Sequence, residues 1–219
     1  MPAPIATAAP RKEDRRIQRT RALLREALFS LIVEQGYPSI SIQDIADRAN
    51  VARTTFYLHY TDKDQLLFTS LRDLYNELLS QVPTPSVEDI RRGHFPSISD
   101  RTDFDHISQY ADFYRIMLGE NGSPQFMHQV RQLLADAYEQ RWLQPLAEGG
   151  LKPRLPLNLI AFLLAGIKIS IMLWWVNHNM QPSPDDMRAA AEMFSLNGLL
   201  WALGVTEAPS GASEWARLK

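Results

Sequence analysis

Apolar residues recur three and four positions apart along most of this chain, so its elements are predicted to be helices. The first stripe, Ile17, Leu24, Ala27, Leu28, Leu31 and Ile32, predicts an amphipathic helix over 17–35. Gly36 closes it, and Pro38 prevents its continuation. Ser41 with Asp44 three residues on reads as an acidic capping box, and Ile40 with Ile45 as a hydrophobic staple. Together they start a short helix, IQDIADRA, which Asn50 ends by tolerating a left-handed conformation. A second short helix over 53–60 puts Ala52, Phe56 and Tyr60 on one face. Arg53, Thr54, Tyr57 and Leu58 point the other way, with Thr55 and His59 at the flanks. Thr61 is expected to cap a fourth helix over 62–81, with Leu67, Leu71, Leu74, Leu78 and Val82 apolar.

Beyond it, 82–103 is rich in proline and polar residues and reads as an irregular connection with at most a short helical turn. Helices are then predicted over 104–118, 124–147, 155–176 and 184–203. The stretch 155–176 is apolar enough to span a bilayer, but Lys168 at its middle argues instead for a buried position in a helical bundle. No membrane partner is expected. The last two helices carry more apolar surface than one packing stripe requires, so they are the expected pairing surface of a homodimer. Its candidate residues are Ala161, Ala165, Ile169, Met172, Trp174, Phe194 and Trp201. The expected organisation is a disordered tail (1–10), a three-helix helix-turn-helix head (11–61), a helical regulatory and dimerisation body (62–205) and a flexible tail (206–219).

Helix, tight turn and helix over 42–60 is the helix-turn-helix pattern, and the outer face of its second helix suits a major groove. That face carries threonines, a tyrosine and an arginine and no carboxylate, which favours a polyanion. Thr54, Thr55 and Tyr57 are the candidates for base edges or nearby phosphates. Arg53, His59, Tyr60 and Lys63 would contact or support the backbone, with Lys63 clamping a phosphate at the start of the fourth helix. Arg15, Arg16 and Arg19, in the basic run before the head, would form a phosphate-binding arm. Ser41 and Gln43 complete the DNA-binding set.

The run RTRALLREALFSLIVEQGYPSISIQDIADRANVARTTFYLHYTDKDQLL, 19–67, resembles the DNA-binding domain of TetR-type (tetracycline-repressor-like) transcriptional regulators. The resemblance is carried by Thr20, Gly36-Tyr37, Ile45-Ala46, Val51, Thr55-Phe56-Tyr57, His59-Tyr60 and Lys63. Asn50 stands where that family commonly has glycine, and Ala52 where a capping serine is common. The resemblance implies a two-part, all-α protein whose fourth helix leads from head to body and whose C-terminal helices pair between subunits. It implies a repressor that binds a palindromic double-stranded operator and answers to a small-molecule effector.

Composition adjusts this picture only a little. At 219 residues, with 45% hydrophobic and 22% charged, the chain is ordinary globular material. Its net charge of −2 argues against a protein that coats DNA but allows a local basic patch. The absence of cysteine fits a reducing cytoplasm, and the N-terminus lacks the features of a secretory signal. The five histidines show no zinc spacing, and there is no nucleophile elbow, P-loop or dinucleotide fingerprint, so neither an enzyme nor a cofactor nor a metal is expected. Asp103, Asp105 and His106 could hold a metal or serve as acid and base, but Asp103 more simply caps the helix that begins there. Phe104, Phe113, Met117, Phe126, Tyr138, Trp142 and Phe162 could line a cavity for an apolar or aromatic effector, or fill a core. The alternatives to a sensor are a body that serves as a protein-interaction module and an enzyme on a helical bundle.

Overall fold

The computed structural model describes residues 12–80, 82–92, 101–119 and 124–206, with the side chains of 12–14 and 101–103 outside that description. The expected terminal tails, residues 93–100 of the connection and the side chain of Asp103 therefore lie outside the described residues, except Thr206 at the start of the second tail. Every regular element described is helical, as the sequence pattern predicts. The chain divides into two compact units, Met1–Asp73 and Leu74–Lys219, and the division falls within one helix.

In the first unit, α1 (Lys12–Gln35) is followed by a 3-10 turn (Tyr37–Ser39), α2 (Ile42–Arg48), α3 (Arg53–Tyr57) and the first half of α4 (Lys63–Ser80). Leu24, Leu28, Ile32, Ile45, Phe56 and Leu66 are completely buried and form its core. α1 starts earlier than its apolar stripe suggests, because the strong helix formers of the basic run extend it. Ser41 closes the expected capping box with Asp44, and Asn50 takes φ 53°. At α4 the cap falls on Asp62, not Thr61. Asp62 Oδ1 accepts from the Gln65 backbone N–H at 2.7 Å, and Gln65 Oε1 accepts from the Thr61 N–H at 2.6 Å.

The second unit holds α5 (Val87–Arg91), α6 (Arg101–Gln109), α7 (Ala111–Leu118), α8 (Pro124–Tyr138), α9 (Gln144–Glu148), α10 (Leu157–Asn177) and α11 (Pro184–Ala202). The helix expected over 104–118 is broken at Tyr110, where neither proline nor glycine signals a break. The helix expected over 124–147 widens into a π-helical turn, Glu139–Leu143. Pro145 explains it: without an N–H and with its ring against the preceding turn, it cannot continue a regular ladder. The bulge stacks Trp142 on Tyr138, with ring centroids 5.2 Å apart.

α10 is the hub of this unit and packs on α6, α7, α8, the π turn and α11. It is long and apolar enough to cross a bilayer, and half of its most apolar window is buried inside the chain. Lys168 sits in that buried half, its ammonium 4.9 Å from the centre of the Phe104 ring. The packing accounts for the composition of α10 as a core helix.

Candidate nucleic-acid interface

α2 and α3 are joined by a turn that their own sequence enforces. Asn50 reverses the chain in the left-handed region, and the Val51 N–H closes back on the Ala46 carbonyl at 3.0 Å. α3 then starts at Ala52 without a side-chain cap. Phe56 and Tyr60 anchor it to the core, their rings 5.9 Å apart. Fixing that side of so short a helix leaves Arg53, Thr54, Tyr57 and Leu58 exposed, with Thr55 and His59 at the edges. This is the division the helical spacing predicts. Arg53 donates from Nη2 to the Tyr57 hydroxyl at 3.2 Å and lies 5.7 Å from the centre of its ring, so the two side chains support one another.

α2 is held to α1 by a fork. Arg48 Nη1 and Nη2 donate to Glu34 Oε1 and Oε2 at 2.7 and 2.6 Å, and Nη1 also reaches the Ser30 hydroxyl at 2.7 Å. Arg48 holds the Glu34 carboxyl down at about 2, below its ordinary 4.5. Sequence reasoning missed this pair, because residues 14 apart on different helices leave no short-range signal.

The remaining expected DNA-binding residues fall into three groups. Arg15, Arg16 and Arg19 are exposed, but on α1 itself rather than on an extended arm. Ser41 is engaged in the capping box, with its hydroxyl 2.7 Å from Asp44 Oδ2, and Gln43 donates to Asp47 Oδ1 at 2.7 Å, both on the exposed side of α2. Tyr60 and Lys63 are turned inward. Tyr60 is only 4% exposed. Lys63 Nζ donates to the carbonyls of Tyr37, Ile40 and Pro38 at 2.9, 2.8 and 3.4 Å and lies over the Tyr37 ring, so in this geometry its charge is directed at the backbone of the 3-10 turn. Burial lowers the pKa of His59, with the nearby Arg21 charge acting in the same direction.

In the second unit, Phe104, Phe113, Met117, Phe126, Tyr138 and Trp142 are all buried, and Phe113 meets Phe126 edge to face at 5.9 Å. Phe162 is not among them: it is 46% exposed on α10, under the Arg131 guanidinium. The expected pairing residues divide as well. Ala161, Ala165, Ile169 and Met172 are buried within the chain against its own helices, and Trp201 is half-buried beside Arg154. Trp174 and Phe194 are exposed, and Leu159, Phe162, Leu163 and Met193 join them as exposed large hydrophobics on α10 and α11. A groove of about 1220 Å³ runs along this face. Sequence spacing could not find the division because α10 is apolar on every side. Asp105 and His106 form no metal site among the described residues, and His106 Nε2 lies 2.9 Å from the Tyr114 hydroxyl.

A three-helix head with a tethered, carboxylate-free second helix of a helix-turn-helix is a DNA-binding module. Residues 24–69 match the model of bacterial regulatory proteins of the tetR family, and residues 102–195 match that of a transcriptional regulator C-terminal region. The chain belongs to the TetR family of DNA-binding transcriptional regulators. Among curated relatives, it is 38% identical over 74 residues to the uncharacterised HTH-type regulator YxbF of Bacillus subtilis, covering 33% of this chain and 20% of that one. It is 29% identical over 106 residues to an uncharacterised HTH-type regulator of Haemophilus influenzae, covering 48% and 51%. The matches thus span between a fifth and about half of these relatives' lengths. Among solved structures, a TetR-family regulator of Syntrophomonas wolfei matches with a TM-score of 0.67 at 19% identity, over 84% of this chain and 96% of that one. A TetR regulator of Streptococcus agalactiae matches at 0.55 and 25% identity, over 84% and 97%. The regulator FadR of Bacillus subtilis, in complex with stearoyl-CoA, matches at 0.57 and 16%, over 81% and 98%.

Proposed function

We propose that this protein is a cytoplasmic, homodimeric repressor that binds a two-fold-related operator and leaves it when the body takes up an apolar or aromatic effector. The observation that carries the reading is the exposed apolar face of α10 and α11, built from Phe162, Leu163, Trp174, Met193 and Phe194. A single recognition helix of five residues can read only a few base pairs. Pairing two copies through that face doubles the read sequence and makes the operator palindromic. Covering these side chains also removes large exposed hydrophobic groups, among the described residues of the body, from water.

Thr54, Thr55 and Tyr57 face the bases, and Arg53, His59 and the α1 arginines face the phosphates. Aromatic side chains concentrated in the body, from Phe104 to Trp142, give an apolar effector its contacts. The stearoyl chain of the stearoyl-CoA held by the Bacillus subtilis regulator of like fold supports the apolar part of this reading. Such an effector releases DNA only by the difference in its affinity for the bound and released forms.

Thr54→Glu tests the DNA reading. Thr54 is exposed, so the fold is unaffected, and the new carboxylate faces a phosphate-lined groove. Operator affinity is expected to fall by at least about a hundredfold at low salt. Unchanged affinity in a folded variant would move the interface away from α3.

A further inference from the structure

We infer that Leu58 reads a thymine methyl group at one fixed position of each operator half-site; the assignment rests on the DNA-binding reading of α3. At 82% exposed, Leu58 is the most exposed large hydrophobic side chain among the described residues. A lone exposed leucine is ordinary on most surfaces. This one is the C-cap residue of the recognition helix, exposed on its outer side, four residues after Thr54 and next to the half-exposed Tyr57. Its backbone is fixed: φ is −72°, and its N–H donates to the carbonyls of Thr54 and Thr55, each at 3.2 Å. The side chain is therefore held out on a rigid helical turn, and ordering it on binding costs little beyond its own rotamers.

The rest of that face is accounted for by polar chemistry. Arg53 and Tyr57 hydrogen-bond each other, and Thr54 offers a hydroxyl with one methyl. Leu58 has no polar atom, so it cannot serve a phosphate or a hydrogen-bonding base edge. The one apolar feature that a base pair presents in the major groove is the thymine C5 methyl. Placing Leu58 there shields both groups from water. Placing it against a cytosine or a purine edge would desolvate a donor or acceptor with nothing in return.

The experiment selects an operator from a random DNA pool with the full-length protein. Each thymine, with its symmetry mate, is then replaced in turn by uracil, which removes the methyl and keeps every hydrogen-bonding group. At one position uracil is expected to weaken wild-type binding by about fourfold per half-site, the size set by burying one methyl. Leu58→Ala, and Leu58→Asn as a second variant, should bind thymine and uracil operators alike at that position. A wild type indifferent to uracil everywhere would overturn the assignment. So would an equal uracil penalty in Leu58→Ala, which would give the contact to a threonine methyl instead. Both results leave sequence-specific binding intact. A protein that selects no sequence from the pool overturns DNA reading by α3 and this assignment with it.

Discussion

The ammonium of Lys63 lies 2.8 Å from the carbonyl oxygen of Ile40, which joins the start of α4 to the chain entering α2. Two further carbonyls, of Tyr37 and Pro38, accept from the same nitrogen, and the Tyr37 hydroxyl donates to Asp64 next door. Lys63 thus neutralises the carbonyl end of a 3-10 turn that has no other cation in its last turn.

Replacing Lys63 with methionine keeps most of the apolar stem and removes these charge-assisted bonds. The head is expected to lose on the order of 2 kcal/mol, read by urea unfolding. The salt slope of DNA binding should be unchanged in the folded fraction. If Lys63 were a phosphate clamp, stability would hold and the slope would fall by about one.

Glu34 and Arg48 make the head sensitive to acid. The folded pKa of Glu34, about 2, lies below its ordinary 4.5, so the pair contributes stability that is fully present above pH 4.5. That contribution is lost as pH falls from 4.5 towards 2. Wild type and Glu34→Gln should therefore differ in thermal stability at pH 6, converge as pH approaches 2, and draw closer in high salt. A constant gap across that range would contradict the pairing.

His59 acts in a higher window. Burial and the Arg21 charge favour its neutral form, so its folded pKa lies below 6.5 and the unfolded chain binds more protons there. Stability is complete above pH 6.5 and declines as pH falls from 6.5 to the folded value. His59→Gln should flatten that part of the profile. NMR titration of the imidazole supplies the check, and a midpoint above 6.5 would reverse the sign.

Phe194→Glu places a carboxylate on the exposed face of α11, where the side chain is 76% solvent-accessible. Helix content should be unchanged, while sedimentation velocity should move from dimer to monomer. Operator affinity should fall by roughly a hundredfold with the loss of the second contact. A variant that remains dimeric would displace the interface from this face.

Local chemistry was the most legible part of the sequence. The Ser41 capping box, the left-handed Asn50 and the two faces of α3 each depend on residues within a turn of one another, and each was readable. Features set by distant partners were not. Nothing near Lys63 announces three carbonyl acceptors more than twenty residues away, and nothing near Tyr110 announces the break between α6 and α7. On α10, every face is apolar, so burial had to be decided by the neighbouring helices. Ala161, Ala165, Ile169 and Met172, expected at a pairing surface, lie inside for that reason.

Paired reading of an operator by two recognition helices is tested by binding of the full-length protein to DNA from its own upstream intergenic region, footprinted across a salt series. A protected two-fold site is expected, its half-sites one helical turn, or a multiple of it, apart, with affinity falling steeply as salt rises. Saturable binding to a single asymmetric half-site, or binding with no site preference at any salt, would contradict a paired recognition-helix mechanism.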